Sequence, residues 1–326
     1  MQKTLPECAV CAIFHLYSFP KGDGVMELPE RCALCPRRCG INRKNGETGF
    51  CGAGILPKVC RAALHYWEEP FLSGESGSGT VFFSGCTLRC VFCQNREISR
   101  GKAGAEISVG RLAEIFLELQ EKGANNINLV TPMHDAPQIT EALDLARRDG
   151  LALPIVWNTG GWELAESVAA VREYADIWLT DFKYFDDETA RNFSAADDYF
   201  EVASAALDQM VLQTGEPVFD EHGMMKRGVI VRHLMLPGHY NDTKRVLEYL
   251  SETYGNRIWV SLMNQYTPFY DGDRYPELRE TVSDDEYARA VACAEKMGIE
   301  NCLIQEGGAV GESFVPPFDL EGVFKK

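Results

Sequence analysis

Val81-Phe82-Phe83-Ser84-Gly85-Cys86-Thr87-Leu88-Arg89-Cys90-Val91-Phe92-Cys93 is the stretch on which the reading of this chain turns. A short apolar run ends in Ser-Gly, and three thiols follow, separated by three and then two residues. A structural zinc or a closed four-iron cluster takes four protein ligands. This loop offers three, and the next cysteine is Cys293, two hundred residues on. A [4Fe–4S] cluster held by three thiolates keeps one iron open for a ligand that is not protein. Two blander readings stand beside it. The thiols can pack as small buried apolar groups, or form a zinc site completed by a distant residue. The strand-then-loop setting, with strand–helix units behind it, favours the cluster.

Downstream of this loop the text changes character. Short apolar runs alternate with amphipathic segments, which places strands at 80–85, 126–131, 153–158, 176–181, 228–234, 257–262 and 301–305. Helices are expected over 108–122, 137–149, 163–174, 186–214, 242–254 and 283–297. In the first of these, Leu112, Ile115, Phe116 and Leu119 recur at helical period, with Ser108 where an N-cap belongs. Strands that are nearly continuous apolar runs and alternate with helices imply a parallel sheet covered on both faces. The expected architecture is α/β: a partial (β/α)6-type barrel over residues 76–326, preceded by a small cysteine-rich extension over 1–75. Ser73-Gly-Glu-Ser-Gly-Ser-Gly79 reads as a flexible joint or a loop beside the substrate.

In such barrels the chemistry gathers at the C-terminal ends of the strands, and each strand here ends in polar or glycine-rich text. Asn128 and Thr131 to Asp135 follow the second, Asn158-Thr-Gly-Gly the third, and Asp181-Phe-Lys183 the fourth. Arg232-His233 closes the fifth and Asn264-Gln265 the sixth. Thr131, His134, Asn158, Asp181, Lys183, Arg232, His233 and Gln265 are therefore expected to converge on one mouth beside Cys86. Trp157, Trp162, Trp178 and Trp259 are expected to rim it.

The extension holds seven of the twelve cysteines. Cys32-x2-Cys35-x3-Cys39-x11-Cys51 is a compact four-thiol set that fits a structural zinc, an auxiliary iron–sulfur cluster or a rubredoxin-type iron. A structural zinc is preferred, because so loop-rich a segment gains folding energy from a metal. Cys8 and Cys11 form a further pair; Cys60, Cys293 and Cys302 read as inert core thiols.

Composition excludes several roles. Hydrophobic residues at 45% and charged residues at 25% are ordinary for a globular protein. Thirty-two Lys and Arg against forty-eight Asp and Glu leave a net charge of −16. That argues against a nucleic-acid binder, which needs basic phosphate contacts, and against attraction to an anionic membrane surface. No run reaches the ~20 apolar residues of a membrane span, and the apolar patch Ala9–Leu16 is too short and interrupted for a signal peptide. Clustered thiols without a secretion signal point to a reducing cytoplasm.

With these blocks in view, the chain resembles the radical S-adenosylmethionine (radical SAM) superfamily, in particular the homologues of the pyruvate formate-lyase activating enzyme. The resemblance rests on residues 82–95, on the strand-end blocks and on Cys32-Ala-Leu-Cys-Pro-Arg-Arg-Cys39. It implies that Cys86, Cys90 and Cys93 ligate a [4Fe–4S] cluster and that Phe92 lies against the adenine of SAM. Asp181-Phe-Lys183 is similar to a segment of the activating enzymes. From the strand ends, Asn158, Asp181, Lys183, Arg232 and Gln265 are expected to contact SAM, Arg232 or Lys183 pairing its carboxylate, and Asn128, Thr131 or an adjacent backbone carbonyl its amine. Asn158-Thr159 and Leu179-Thr-Asp181 match segments that hold a monovalent cation in the activating enzyme, with Asn158 standing where that enzyme has Asp. The Gly-Gly-Glu-like run that takes the SAM amine is replaced by Val130-Thr-Pro-Met133.

The implied activity is reductive cleavage of SAM to a 5′-deoxyadenosyl radical that abstracts hydrogen from a substrate, possible targets being a glycyl residue of a partner enzyme or a small molecule, sugar or peptide. The implied electron donor is of flavodoxin or ferredoxin type. A non-catalytic iron–sulfur or zinc protein is the remaining alternative, and three-ligand spacing speaks against it.

Overall fold

The computed structural model describes residues 26–270, 272–305 and 315–325, so Cys8, Cys11 and the apolar patch at 9–16 lie outside the described residues. Among the described residues ten strands form: β1 Lys58–His65, β2 Ser78–Phe83, β3 Ala105–Glu106, β4 Ile127–Val130 and β5 Ile155–Thr159, then β6 Ile177–Asp181, β7 Val218–Phe219, β8 Met225–Leu234, β9 Trp259–Met263 and β10 Cys302–Ile304. Their order across the sheet is β10-β9-β8-β6-β5-β4-β2-β1-β3, with β7 on β8. From β2 to β10 every pairing on this path is parallel, whereas β1 pairs antiparallel with β2 and β3. The result is an open (β/α) barrel, as the alternating text implies.

The helices that cover it are α1 Val109–Glu121, α2 Ala136–Arg148, α3 Ala165–Ala170, α4 Asp187–Ser194, α5 Tyr199–Thr214, α6 Tyr240–Tyr254 and α7 Asp284–Lys296. Ser108 caps α1 as expected, accepting the Arg111 N–H at 3.1 Å. Asp186 and Ser283 cap α4 and α7 in the same way.

The two faces of the sheet have different cores. Val81, Phe83, Leu129, Trp157, Trp178, Val231 and Leu262 pack with the helices. Val156, Ile177, Leu179 and Ile230 face the barrel interior, where Leu72 and Met225 join them and Phe71 and Trp259 pack alongside. Leu72 comes from a short helical turn, Pro70–Ser73, that follows β1. The chain leaving His65 thus passes beneath the barrel and seals its floor.

Several expectations are corrected. Residues 58–65 were expected within a loop-rich segment, but they form β1; its pattern of single polar residues among small apolar ones is too weak to read as a strand alone. The Ser73–Gly79 stretch is no flexible joint. Ser78 and Gly79 are buried and open β2, paired with His65 and Leu64. Glycine is needed there for close approach, since a Cβ at Gly79 would sit 2.8 Å from the Asn126 carbonyl.

The helix expected over 186–214 is two, α4 and α5, because Ala195 turns left-handed at φ +51°. The one expected over 163–174 ends as a 3-10 turn at Arg172–Tyr174. The tryptophan rim is absent. Trp157 and Trp178 are fully buried toward the helices, Trp162 is buried, and Trp259 packs edge-on against Phe71 at the floor.

Candidate active site

Gly85 (φ +102°) joins β2 to the thiol loop; a Cβ there would drive into the Cys51 carbonyl, so only glycine lets the extension lie this close. Arg89 takes a left-handed turn (φ +56°) between Cys86 and Cys90. The sulfurs are ringed by donors. The Leu88 N–H approaches Cys86 Sγ at 3.4 Å, and Ser194 Oγ donates to Cys90 Sγ at 2.9 Å. The Ser99 hydroxyl and the Asn95 N–H serve Cys93. Burial, with the charge of Cys90 next to it, pushes the Cys86 thiol up to about 12 and Cys93 to about 11.

Buried sulfurs that receive donors and repel one another as thiolates suit cations placed among them. The donor set therefore fits an iron–sulfur cluster. Among the described residues no group of three or more His, Cys, Asp or Glu stands in a geometry that would hold a metal ion; this is as true of Cys86, Cys90 and Cys93 as of Cys32, Cys35, Cys39 and Cys51.

The extension grips this loop through Arg37, whose guanidinium donates to the carbonyls of Thr87 (2.9 Å), Ala195 (2.7 Å) and Ser194 (3.3 Å). It also stacks over Phe50 and Trp162 at 4.2 and 4.6 Å. Arg43, fully buried, bonds the His134 and Gly54 carbonyls and the Asp135 carboxylate.

Above the apolar floor lies a buried polar layer centred on Arg232. Its guanidinium reaches Asn158 Oδ1 at 2.6 Å, Asp181 Oδ1 at 3.1 Å and Glu68 Oε2 at 3.4 Å. Lys183 Nζ also bonds Asp181, and Asn128 Nδ2 donates to Glu68 Oε1 at 3.0 Å. Glu69 is buried beside them, and among the described residues its Oε2 has no hydrogen-bond partner.

Burial raises Glu68 and Glu69 above the usual carboxylate range. Burial also works against Asp181, but Lys183 and Arg232 together hold it below its ordinary value. Two cations, Arg232 and Lys183, serve the three carboxyl groups Asp181, Glu68 and Glu69. Glu68, Asn158 and Arg232 line a cavity with Val130, Gln94, Asn95 and Gln265, so the thiol loop runs directly into its wall.

The structure thus brings Asn128, Asn158, Asp181, Lys183, Arg232 and Gln265 around one place. Thr131, at φ +57°, reaches it through its N–H, which donates to the Asn158 carbonyl at 2.8 Å. Phe92 packs in the apolar core against Phe193 and Tyr266 and does not line the cavity. His134 and His233 are corrections to the expected mouth. His134 is buried against the Ser84 carbonyl. His233 lies between the Phe182 carbonyl and Thr243, because strand alternation turns it outward once Arg232 faces in. The place implied for a monovalent cation, between Asn158 and Asp181, is taken by the Arg232 guanidinium.

Glu68, Glu69, Tyr184, Ser194 and Arg37 were missed. An acid pair, Glu68-Glu69, between Tyr66-Trp67 and Pro70 is a signal that was available. Nothing local marks Ser194.

A parallel barrel with a three-thiol loop at the C-terminal end of its first parallel strand, beside a polar cavity, defines an enzyme class built around a cluster with one open iron. Residues 80–250, just over half of the chain, match the Radical SAM superfamily, and the chain belongs to it. Among its relatives is the uncharacterized protein MJ0674 of Methanocaldococcus jannaschii, 27% identical over 286 residues, which span 83% of this chain and 76% of that protein. The uncharacterized protein MJ0808 of the same organism is 37% identical over 83 residues, 22% of this chain and 24% of that protein. The superfamily carries a [4Fe–4S] cluster and SAM, so the chain is an enzyme of radical chemistry. No helix among the described residues is long and apolar enough to cross a membrane.

Proposed function

We infer that this protein binds SAM in the cavity between Arg232 and the Cys86–Cys93 loop and abstracts hydrogen from a glycyl residue of a partner enzyme, as an activase does. A [4Fe–4S] cluster on Cys86, Cys90 and Cys93 supplies, when bound, the electron that breaks the sulfonium of SAM. The chain's own residues do the positioning. Lys183 and Arg232 offer cations for a carboxylate, Arg232 by bidentate geometry. Glu68 offers the carboxylate for an ammonium. The apolar floor of Leu72, Ile177 and Ile230 keeps water from entering below. A low-potential donor of flavodoxin or ferredoxin type is required.

The observation that carries the reading is the joint lining of one cavity by Asn158, Arg232 and the residues that follow Cys93. Of the tryptophans expected to rim the mouth, Trp157, Trp162 and Trp178 are buried in the core and Trp259 packs at the barrel floor. The test is anaerobic incubation of reduced, reconstituted protein with SAM, first alone and then with glycyl-radical partners of the host. The expected results are 5′-deoxyadenosine release and a glycyl doublet in electron paramagnetic resonance. Release without a doublet for any partner transfers the reading to a small molecule, sugar or peptide. No release overturns it.

A further inference from the structure

Among the described residues the sheet does not close on itself. Its path runs from β10 to β3, and β3 covers only Lys58 and Val59 of β1. Where β3 stops, the end of the chain takes over. The Leu320 N–H donates to the Cys60 carbonyl at 3.1 Å, and the Ala62 N–H to the Glu321 carbonyl at 2.8 Å. Building on the radical reading of the cavity, we propose that this strap, residues 316–325, is a side wall of the site. It positions Phe82 and His65 and keeps stray hydrogen donors from entering at the open edge of the barrel.

The strap reaches past β1 to the cavity itself. Pro316 lines it together with His65 and Phe82. Phe318 meets the Phe82 ring edge-on at 5.6 Å, and His65 meets the same ring at 6.0 Å. Strand alternation sends Val81 and Phe83 toward the helices and Phe82 to this side. Phe82 and Val130, both in the cavity lining, form a small apolar cluster with Cys60 and Ile98, and Phe318 packs against it. Protection of an exposed strand edge accounts for the two backbone bonds, but not for Pro316 and Phe318.

The strap is also fixed in place, as terminal residues are only when tied down. Arg61 donates to the Pro317 carbonyl at 3.1 Å, to Asp319 Oδ1 at 2.8 Å and to the Glu321 carboxylate. Arg111 on α1 holds the Val323 and Gly322 carbonyls at 3.0 and 3.2 Å. Val323 is fully buried, and Lys325 pairs with Glu114 at 2.8 Å. Gly322 (φ +71°) permits the seating, since a Cβ there would stand 2.0 Å from the Ala62 carbonyl. A carbon radical takes hydrogen from whichever C–H bond it reaches, so its site needs walls that exclude competing donors.

Two arms test this on the full chain, with Phe318→Ala removing part of the wall and Arg61→Met releasing its anchor. The first arm needs neither cluster nor SAM. Diethyl pyrocarbonate modifies accessible histidines, and peptide mass mapping compares His65 with His222, whose side chain is 78% exposed. His65 should react more slowly than His222 in the wild type. Each variant should speed it about tenfold relative to His222, an opening easier by ~1.4 kcal/mol. The second arm supplies reduced, reconstituted protein with SAM and fully deuterated glycerol. A deuterium atom that passes from a glycerol C–D bond to the 5′ carbon leaves a glycerol radical behind and marks the 5′-deoxyadenosine. The wild type should give unlabelled product and both variants labelled product. Unchanged His65 reactivity in the variants overturns the proposal and leaves the strap as edge protection alone. Equal labelling in wild type and variants overturns it as well. Absence of 5′-deoxyadenosine overturns the radical reading instead, and the histidine arm still decides the wall. Arg61→Met, which keeps every wall residue, decides even where Phe318→Ala does not fold.

Discussion

Ser194 Oγ stands 2.9 Å from Cys90 Sγ, and it comes from the last residue of α4 rather than from the loop it serves. Tyr184 Oη lies 2.7 Å from the same hydroxyl. With Ser194 donating to sulfur, Tyr184 donates to Ser194, and two buried hydroxyls in series aim positive hydrogen at the central thiol. Hydrogen bonds to sulfur stabilise the more negative, reduced cluster and raise its potential. Ser194→Ala is therefore expected to lower the potential by about 40 mV, taking ~1 kcal/mol for the bond and ~59 mV per tenfold for one electron. Tyr184→Phe should lower it less. A redox titration followed by electron paramagnetic resonance reads this, and an unchanged potential at full iron content would show the bond is not made in the loaded protein.

Arg37 joins the extension to the same network, since its three carbonyl partners lie on the thiol loop and at the end of α4. The fork geometry matters here, because one planar group serves three acceptors while lying over Phe50. Arg37→Ala should cost the reconstituted protein iron retention under chelator challenge, and Arg37→Lys should not restore it. Full rescue by lysine would mean that charge alone, not the fork, secures the loop.

How much of this was legible in the sequence divides along physical lines. The parallel strands were visible because each is a near-continuous apolar run, and Cys86, Cys90 and Cys93 because their spacing is local. Asn158, Asp181 and Arg232 could be found because strand ends of a barrel share one face. Glu68 was hidden, since its place depends on β1 running antiparallel and the chain then turning under the barrel. The break at Ala195 was hidden as well. Ala195-Ala196-Asp197-Asp198 has neither Gly nor Pro, and the carbonyls that Arg37 takes stabilise it from 157 or more residues away.

Glu68 leads to a binding prediction. It lines the cavity with one oxygen on Asn128 and the other on Arg232, so it suits the ammonium of SAM. Glu68→Gln should weaken SAM binding about 10- to 100-fold, as expected for a hydrogen bond to a charged group worth ~1.5–3 kcal/mol. It should leave 5′-methylthioadenosine, which has no amine, bound as before. Calorimetry on the reconstituted protein with both ligands makes the comparison. Equal loss for the two would mean that the substitution disturbs the cavity rather than the amine contact.

Arg232 should dominate the stability of the barrel interior. Removing it leaves the buried Glu68 without its cation and Asp181 with Lys183 alone, and breaking a buried pair from one side costs ~3–5 kcal/mol. Arg232→Met is expected to lower stability to denaturant by that order. Arg38→Ala breaks the Arg38–Glu166 pair, whose side chains are 59% and 53% exposed, and should cost no more than ~1 kcal/mol. Comparable losses in the two variants would contradict the burial argument.

His233 sets a pH dependence whose sign can be worked out. Its Nδ1 faces the Phe182 carbonyl at 2.7 Å, and a carbonyl only accepts, so the proton sits on Nδ1 and Nε2 accepts from Thr243 at 3.0 Å. Burial lowers this histidine from 6.5 to about 4; the Phe182 carbonyl opposes the fall, Lys183 adds to it and Asp181 again opposes it. Between those two values the unfolded chain binds a proton that the folded one refuses. The histidine's contribution is complete above pH 6.5 and is lost progressively as pH falls toward 4, by roughly 3 kcal/mol at most. His233→Gln keeps a donor and an acceptor but does not titrate. Carboxylates elsewhere affect both proteins alike and cancel in the difference. Denaturant unfolding from pH 7 to pH 4.5 should therefore show the wild type losing stability faster than His233→Gln, with the gap opening only below about pH 6.5. Parallel curves across that window would mean that the ring is protonated in the folded protein.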